Sequence, residues 1–248
     1  MIIKNRSQLH RDGKPNLFEL LRKASKIIYM PNDPTLNVTR KIIRTYQDRI
    51  LGFSFIFLIP ASILLGLPTS QYTIPSWWHS VSQTYYAADS AVMTGMLCIC
   101  GVMFITHRSE KIFEKIVFVI AGISTLGVIA CPHGEEFFEH VGLFHLSNHV
   151  SGFFHIIFAS IMFVTFGVLS FLNFPETAEE LRNSKHGRLR NTIFRVNGII
   201  IFIACLFMLM RQFFPTYDWI GIITEWFIFT PFGIDMLIKA NMFKALKD

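Results

Sequence analysis

Charge is scarce in this chain. Asp, Glu, Lys and Arg together make up 16% of its 248 residues, too little for the solvated surface of a soluble domain of that size. Cysteine is scarcer still: Cys98 and Cys100 share one apolar run, Cys131 closes another and Cys205 sits in a third. No Cys-x-x-Cys pair occurs, which argues against a disulfide framework or a thiolate zinc site. Lys and Arg are missing altogether from residues 68–88 and 132–148. No internal repeat is visible, so an inverted-repeat transporter architecture has no support. The basic residues that give a net charge of +6 lack the aromatic interleaving of a nucleic-acid surface, and no nucleic-acid partner is expected. An apolar h-region close to the start is also lacking, so the first apolar run is expected to stay as an uncleaved anchor.

What the chain has instead is apolar length. Hydrophobic residues reach 52% and mean hydropathy is +0.43, and crossing a hydrocarbon core takes about 20 such residues as a helix. Six runs qualify: 50–67, 89–107, 112–131, 149–173, 194–214 and 219–238. The connections alternate in charge. Arg108, Lys111 and Lys115 mark one, and Arg182, Lys185, Arg188, Arg190 and Arg195 mark another. The 68–88, 132–148 and 212–218 connections carry none, and Lys239, Lys244 and Lys247 follow the last run. By the positive-inside rule this pattern predicts an all-α polytopic membrane protein with six transmembrane helices and both termini in the cytoplasm. Three regions are expected: a basic N-terminal segment over 1–48, a six-helix membrane domain over 49–241 and a cytoplasmic tail over 242–248. Within the first, Asn16–Met30 interleaves Leu17, Leu20, Leu21, Ile27 and Ile28 with Arg22, Lys23 and Lys26, the pattern of an amphipathic helix on a leaflet of anionic lipid.

Ionisable residues are so few that those inside apolar runs stand out. His155 lies about 9 Å beyond His149 along the fourth run, and Glu225 lies equally deep in the sixth. A lone carboxylate in hydrocarbon costs several kcal/mol, so Glu225 is expected to face the bundle and find a donor, with His155 the first choice. Asp235, with Lys239 one turn on, reads as a surface ion pair. The polar intramembrane site is therefore expected at His149, His155, Glu225 and Asp89. Histidine also crowds the 133–155 stretch. If this region is helical, His145 and His149 share a face at i and i+4, as do Glu136 and His140, a spacing that suits tetrahedral zinc. His133, Glu136, His140, His145 and His149 are the candidate zinc ligands, with His79 and Asp89 able to complete the set. His-x-x-x-His lacks the Glu of a His-Glu-x-x-His motif, and ordinary solvated polar residues are the competing reading.

The connection before the second run is rich in aromatic and hydroxyl groups: His79, Ser80, Ser82, Tyr85 and Tyr86 are candidates for an outer pocket, while Trp77 and Trp78 suit a headgroup belt. Ser80 has His and Asp nearby in sequence but sits in no nucleophile elbow, which disfavours a serine hydrolase. Ser80, Ser82, Tyr85, Tyr86 and Gly95, then His149 and Ser151, then Glu225, Phe232, Gly233 and Lys239 form an ordered pattern. In it the chain resembles a group of bacterial multi-pass membrane proteins of uncharacterised function. That resemblance implies a six-helix architecture and a bacterial inner membrane, and no reaction. Three functions stay open: a bundle, free to form homo-oligomers, that conducts, transports or senses through the His/Glu site; a zinc-dependent hydrolase of a lipid or other amphiphile; and a scaffold whose N-terminus recruits a cytoplasmic partner. Whether it is an enzyme is not decided by these residues.

Overall fold

The structure, a computed structural model, describes residues 34–66, 80–86, 90–133, 139–175, 184–211 and 220–246. The chain divides into two units, 1–41 and 42–248. Of the first, only the opening of one helix falls among the described residues, and the amphipathic segment Asn16–Met30 lies outside them. Six α-helices are described: α1 (Pro34–Gly66), α2 (Ser90–Ile105), α3 (Ile112–Ala130), α4 (Asn148–Val168), α5 (Lys185–Arg211) and α6 (Ile220–Lys239). All but α2 are long and apolar enough to cross a membrane, and α2, at 16 residues, is a shorter apolar helix. The protein is thus all-helical, with several helices suited to a bilayer. Helix α1 starts at Pro34 and runs without a break past Ile50, where its apolar stretch begins.

In lipid the hydrophobic effect does little to hold helices together, so close backbone approach and internal hydrogen bonds must do it. Two glycine pairs show the first device. A Cβ on Gly122 of α3 would fall 2.6 Å from the carbonyl oxygen of Gly101 on α2, and one on Gly233 of α6 would fall 2.8 Å from that of Gly52 on α1. Other neighbours are α3 on α4, α4 on α5 and α5 on α6, with α4 also meeting α6. Phenylalanine fills the space they enclose. Phe55 of α1 lies 5.7 Å from Phe104 of α2, 5.1 Å from Phe166 of α4, and 5.6 and 5.5 Å from Phe229 and Phe232 of α6. Phe118 of α3 joins through Phe104. Each such ring pair contributes about 0.5–1.5 kcal/mol beyond the area it buries. On the outside, Phe57, Ile123, Phe153, Ile203 and Phe227 are exposed, as lipid contact requires.

Buried ionisable groups lie toward the two ends of this aromatic core, with single hydroxyls such as Thr125 and Thr165 between them. At one end His107, just after α2, meets Asp48 of α1 at 2.8 Å and stacks on Phe118 at 3.8 Å. Lys239 pairs with Glu114 of α3 and sits over the rings of Phe118 and Phe174 at 5.1 and 4.5 Å. This corrects the Asp235–Lys239 surface pair expected from their spacing. Asp235 is fully buried and accepts from Asn197 Nδ2 of α5 at 2.7 Å, because Lys239 is drawn to the carboxylate of a neighbouring helix instead.

Glycine substitution separates packing from tolerance. Gly122→Val should prevent recovery of a monodisperse protein or lower its melting temperature by more than 10 °C, read with a thiol-reactive dye that reports exposure of the buried Cys100 and Cys131. Among the described residues a Cβ at Gly95 of α2 meets nothing within 4 Å, so Gly95→Ala should melt within about 2 °C of wild type.

Candidate functional site

A helix that stops leaves its last carbonyls without amide partners, a serious cost wherever water is scarce. At the end of α3 the chain resolves this by folding back on itself. Residues 140–147 form a small hairpin, His140–Val141 pairing with Leu146–Ser147, and the amide of Leu143 donates to the carbonyl of Ala130 at 3.0 Å. Gly142, at φ +77°, permits the tight turn. Two side chains from the first turns of α4 take the next carbonyls: His155 Nδ1 donates to Cys131 at 2.9 Å, and Ser151 Oγ donates to Pro132 at 2.7 Å. His155 is thereby buried and fixed in rotation.

That bond also fixes its tautomer. A carbonyl oxygen only accepts, so Nδ1 carries the proton, and in a neutral imidazole Nε2 is then an acceptor. Nε2 lies 2.8 Å from Ser82 Oγ, which places the serine hydroxyl proton on the line between them.

Ser82 is held by a second local motif. Ser80 caps the short 3-10 turn Val81–Tyr86, its Oγ accepting from the amide of Ser82 at 3.1 Å. The Ser80 hydroxyl in turn donates to Glu225 Oε1 at 2.7 Å, and the amide of Val81 donates to Glu225 Oε2 at 2.6 Å. Glu225, buried on α6, therefore caps a turn that lies before α2 in the chain. His155 and Glu225, expected to be partners, belong to one hydrogen-bonded cluster in which the segment 80–82 stands between them.

Ser80, Ser82, His155 and Glu225 line one end of a cavity of about 620 Å³, within the range of small-molecule sites. Tyr85 and His133 line it as well, the His133 ring centre 6.1 Å from that of His155. The remaining wall is mostly apolar, from Met93 and Leu97 of α2 round to Phe229 of α6, with Ser160 of α4 and Cys205 of α5 set in it. Four of the lining residues, Ile156 and Val164 of α4 and Leu206 and Leu209 of α5, are 40% to 57% exposed on the outer surface of the bundle. The cavity therefore reaches the outside of the bundle between α4 and α5.

Other expected site residues fall elsewhere. His149 is exposed at the start of α4 and does not line the cavity. Among the described residues no group of three or more His, Cys, Asp or Glu is placed to hold a metal. The expected helical spacing fails because His145 belongs to the hairpin turn, at φ 50°, and α4 begins only at Asn148. His140 lies on the first strand and stacks on His145 at 5.0 Å, while His133 lies toward His155. Glu136, His79 and Asp89 lie outside the described residues, as does the side chain of Tyr86. The expected outer pocket held Ser80 and Ser82 together, but the sequence did not pair Ser82 with His155, because that contact depends on how the connection re-enters the bundle.

No family model, curated protein or solved structure matches the chain.

Replacing Glu225 tests the cap. Glu225→Leu removes one acceptor of the buried Val81 amide, a loss of about 1–3 kcal/mol, and hydrogen exchange at Val81 should speed up by at least tenfold. Glu225→Gln keeps one acceptor oxygen and should fall between this variant and wild type.

Proposed function

We propose that this integral membrane protein binds an amphiphile, its polar part at the Ser80–Ser82–His155–Glu225 cluster and its hydrocarbon part along the cavity. The observation that carries this reading is the two-sided lining of a single cavity that reaches the lipid-facing surface between α4 and α5. A hydrocarbon chain gains little by leaving lipid for an apolar wall, so retention depends on the polar end, where hydrogen bonds form in a low dielectric. Of conducting, transporting and sensing, conduction fits least. A conducting path needs polar groups or water along its length, and on α6 the interval between Glu225 and Asp235 is filled by Ile228, Phe229 and Phe232, all buried in the aromatic core.

Charge alternation supports an orientation with both termini in the cytoplasm, which sets the cavity in the outer half of the bilayer. The resemblance noted from sequence favours a bacterial inner membrane. In intact cells a cysteine introduced at Phe144, in the exposed hairpin turn, should react with a membrane-impermeant maleimide, and one introduced at Ala245 should react only after lysis. Equal labelling of both would reject this orientation.

Occupancy is testable directly. A photoactivatable, alkyne-bearing phospholipid in nanodiscs should crosslink to peptides spanning 156–164 and 205–209. Ala159→Phe, which places a ring in the cavity, should cut that crosslinking by about tenfold without altering the melting temperature by more than a few degrees. Crosslinking spread evenly over the exposed faces, unchanged by Ala159→Phe, would defeat the reading.

A further inference from the structure

We propose that Ser82 and His155 form a nucleophile–base pair that cleaves a carboxylic ester carried by the bound amphiphile; this rests on the amphiphile-binding reading above. Nucleophilic catalysis by serine needs a hydroxyl within hydrogen-bond reach of a base, and the base held in turn by a third group. All three parts are present. Ser82 Oγ lies 2.8 Å from His155 Nε2, and His155 Nδ1 is held at 2.9 Å by the carbonyl of Cys131. That carbonyl does the orienting that a carboxylate does in a Ser-His-Asp arrangement: it selects the tautomer whose Nε2 lone pair faces the hydroxyl. Lacking a negative charge, it stabilises the imidazolium less, which predicts slow turnover.

The surroundings favour a nucleophile over a structural hydrogen bond. Both side chains line the cavity, so a ligand seated there reaches the hydroxyl. Ser82 is placed by its backbone, through the Ser80 cap and the Val81–Glu225 bond, which leaves its side chain to the imidazole. Glu225 acts on the nucleophile only through Ser80 and Val81 and is a positioning residue. An ester of a hydrocarbon-chain acid fits the lining: its chain lies on the apolar wall and its carbonyl reaches the polar end. His133, on the same wall, supplies a further N–H group near the imidazole.

The chemistry closes in two steps. Ser82 Oγ attacks the ester carbonyl carbon while its proton passes to Nε2. The tetrahedral intermediate then expels the alkoxide, which takes that proton and leaves as the alcohol, and Ser82 holds the acyl group. Water, giving its proton to Nε2, attacks the acyl carbon; Ser82 leaves with that proton and the carboxylic acid is released. One water is consumed, and no metal or redox partner is required.

The test uses the full-length protein in nanodiscs with an alkyl fluorophosphonate, which phosphonylates activated serines with loss of fluoride, and with p-nitrophenyl esters of four to sixteen carbons. Phosphonylation should map by mass spectrometry to Ser82 and not to Ser80. Ester cleavage should favour the longer chains, vanish in Ser82→Ala and drop on the order of 10²–10⁴-fold in His155→Gln. Both variants should elute as monodisperse protein with the circular dichroism of wild type, which shows that they fold. If wild type crosslinks the lipid in its cavity yet Ser82 stays unlabelled and esters remain intact, the catalytic proposal is overturned and the binding reading stands. If cavity crosslinking is absent as well, both fall. Ester cleavage that survives Ser82→Ala would assign the reaction to another group and also overturn the proposal.

Discussion

Much of the site's geometry depends on one buried carboxylate. Glu225 sits on a helix suited to a bilayer, where a carboxylate without donors costs several kcal/mol. Its two oxygens are met by the Ser80 hydroxyl and the Val81 amide, donors that belong to a connection between helices rather than to a neighbouring helix face. Satisfying Glu225 therefore pulls that connection into the bundle. Once it is there, the turn it forms sets Ser82 two residues on, within reach of His155. The same bond solves two problems, since the opening amides of a turn need acceptors as much as the carboxylate needs donors.

His155 shows the complementary constraint from the other side of the cluster. A helix end near the membrane leaves carbonyls that water does not reliably reach, and Cys131 is one of them. Recruiting an imidazole for this task fixes the ring through one nitrogen and leaves the other facing the cavity. A serine or a lysine could satisfy the same carbonyl, but histidine caps with one ring nitrogen and leaves a second, basic nitrogen as an acceptor. The placement of Ser151 on the adjacent carbonyl of Pro132 supports this view: where a single donor suffices, the chain uses a hydroxyl.

How far this was legible in the sequence follows from the range of each signal. Apolar runs and the spacing of Lys and Arg report on solvent, which acts on every residue alike, and they located the helices to within a few positions at most ends. Glu225 and His155 were legible for a related reason: an ionisable group in hydrocarbon is costly wherever the chain goes. Which donor each would find was not legible, because that depends on helix rotation and on how a loop re-enters. His145 failed for another cause. The i and i+4 argument assumed a helix through 145–149, while Gly142 and the unmet carbonyl of Ala130 favour a hairpin there, and that hairpin removes the shared face on which the zinc set depended.

The separation between the two polar ends bears on what the cluster can do. Rings from α1, α2, α4 and α6 pack between Glu225 and the Asp48–His107 and Glu114–Lys239 pairs, with Phe166 and Phe232 stacked at 4.0 Å. Interiors packed this closely leave little room for a water chain. Among the described residues packed rings fill much of this interval, so in the reading proposed above protons are exchanged locally, between Ser82, His155 and the bound molecule. A proton pump requires transfer across the membrane, whereas acid–base chemistry on a bound molecule needs the proton to move only a few ångströms and back. Opposite ends of one aromatic core therefore hold different kinds of polar group: the Asp48–His107 hydrogen bond and the Glu114–Lys239 ion pair, which tie helices together, at one end, and at the other a hydroxyl and an imidazole facing a cavity.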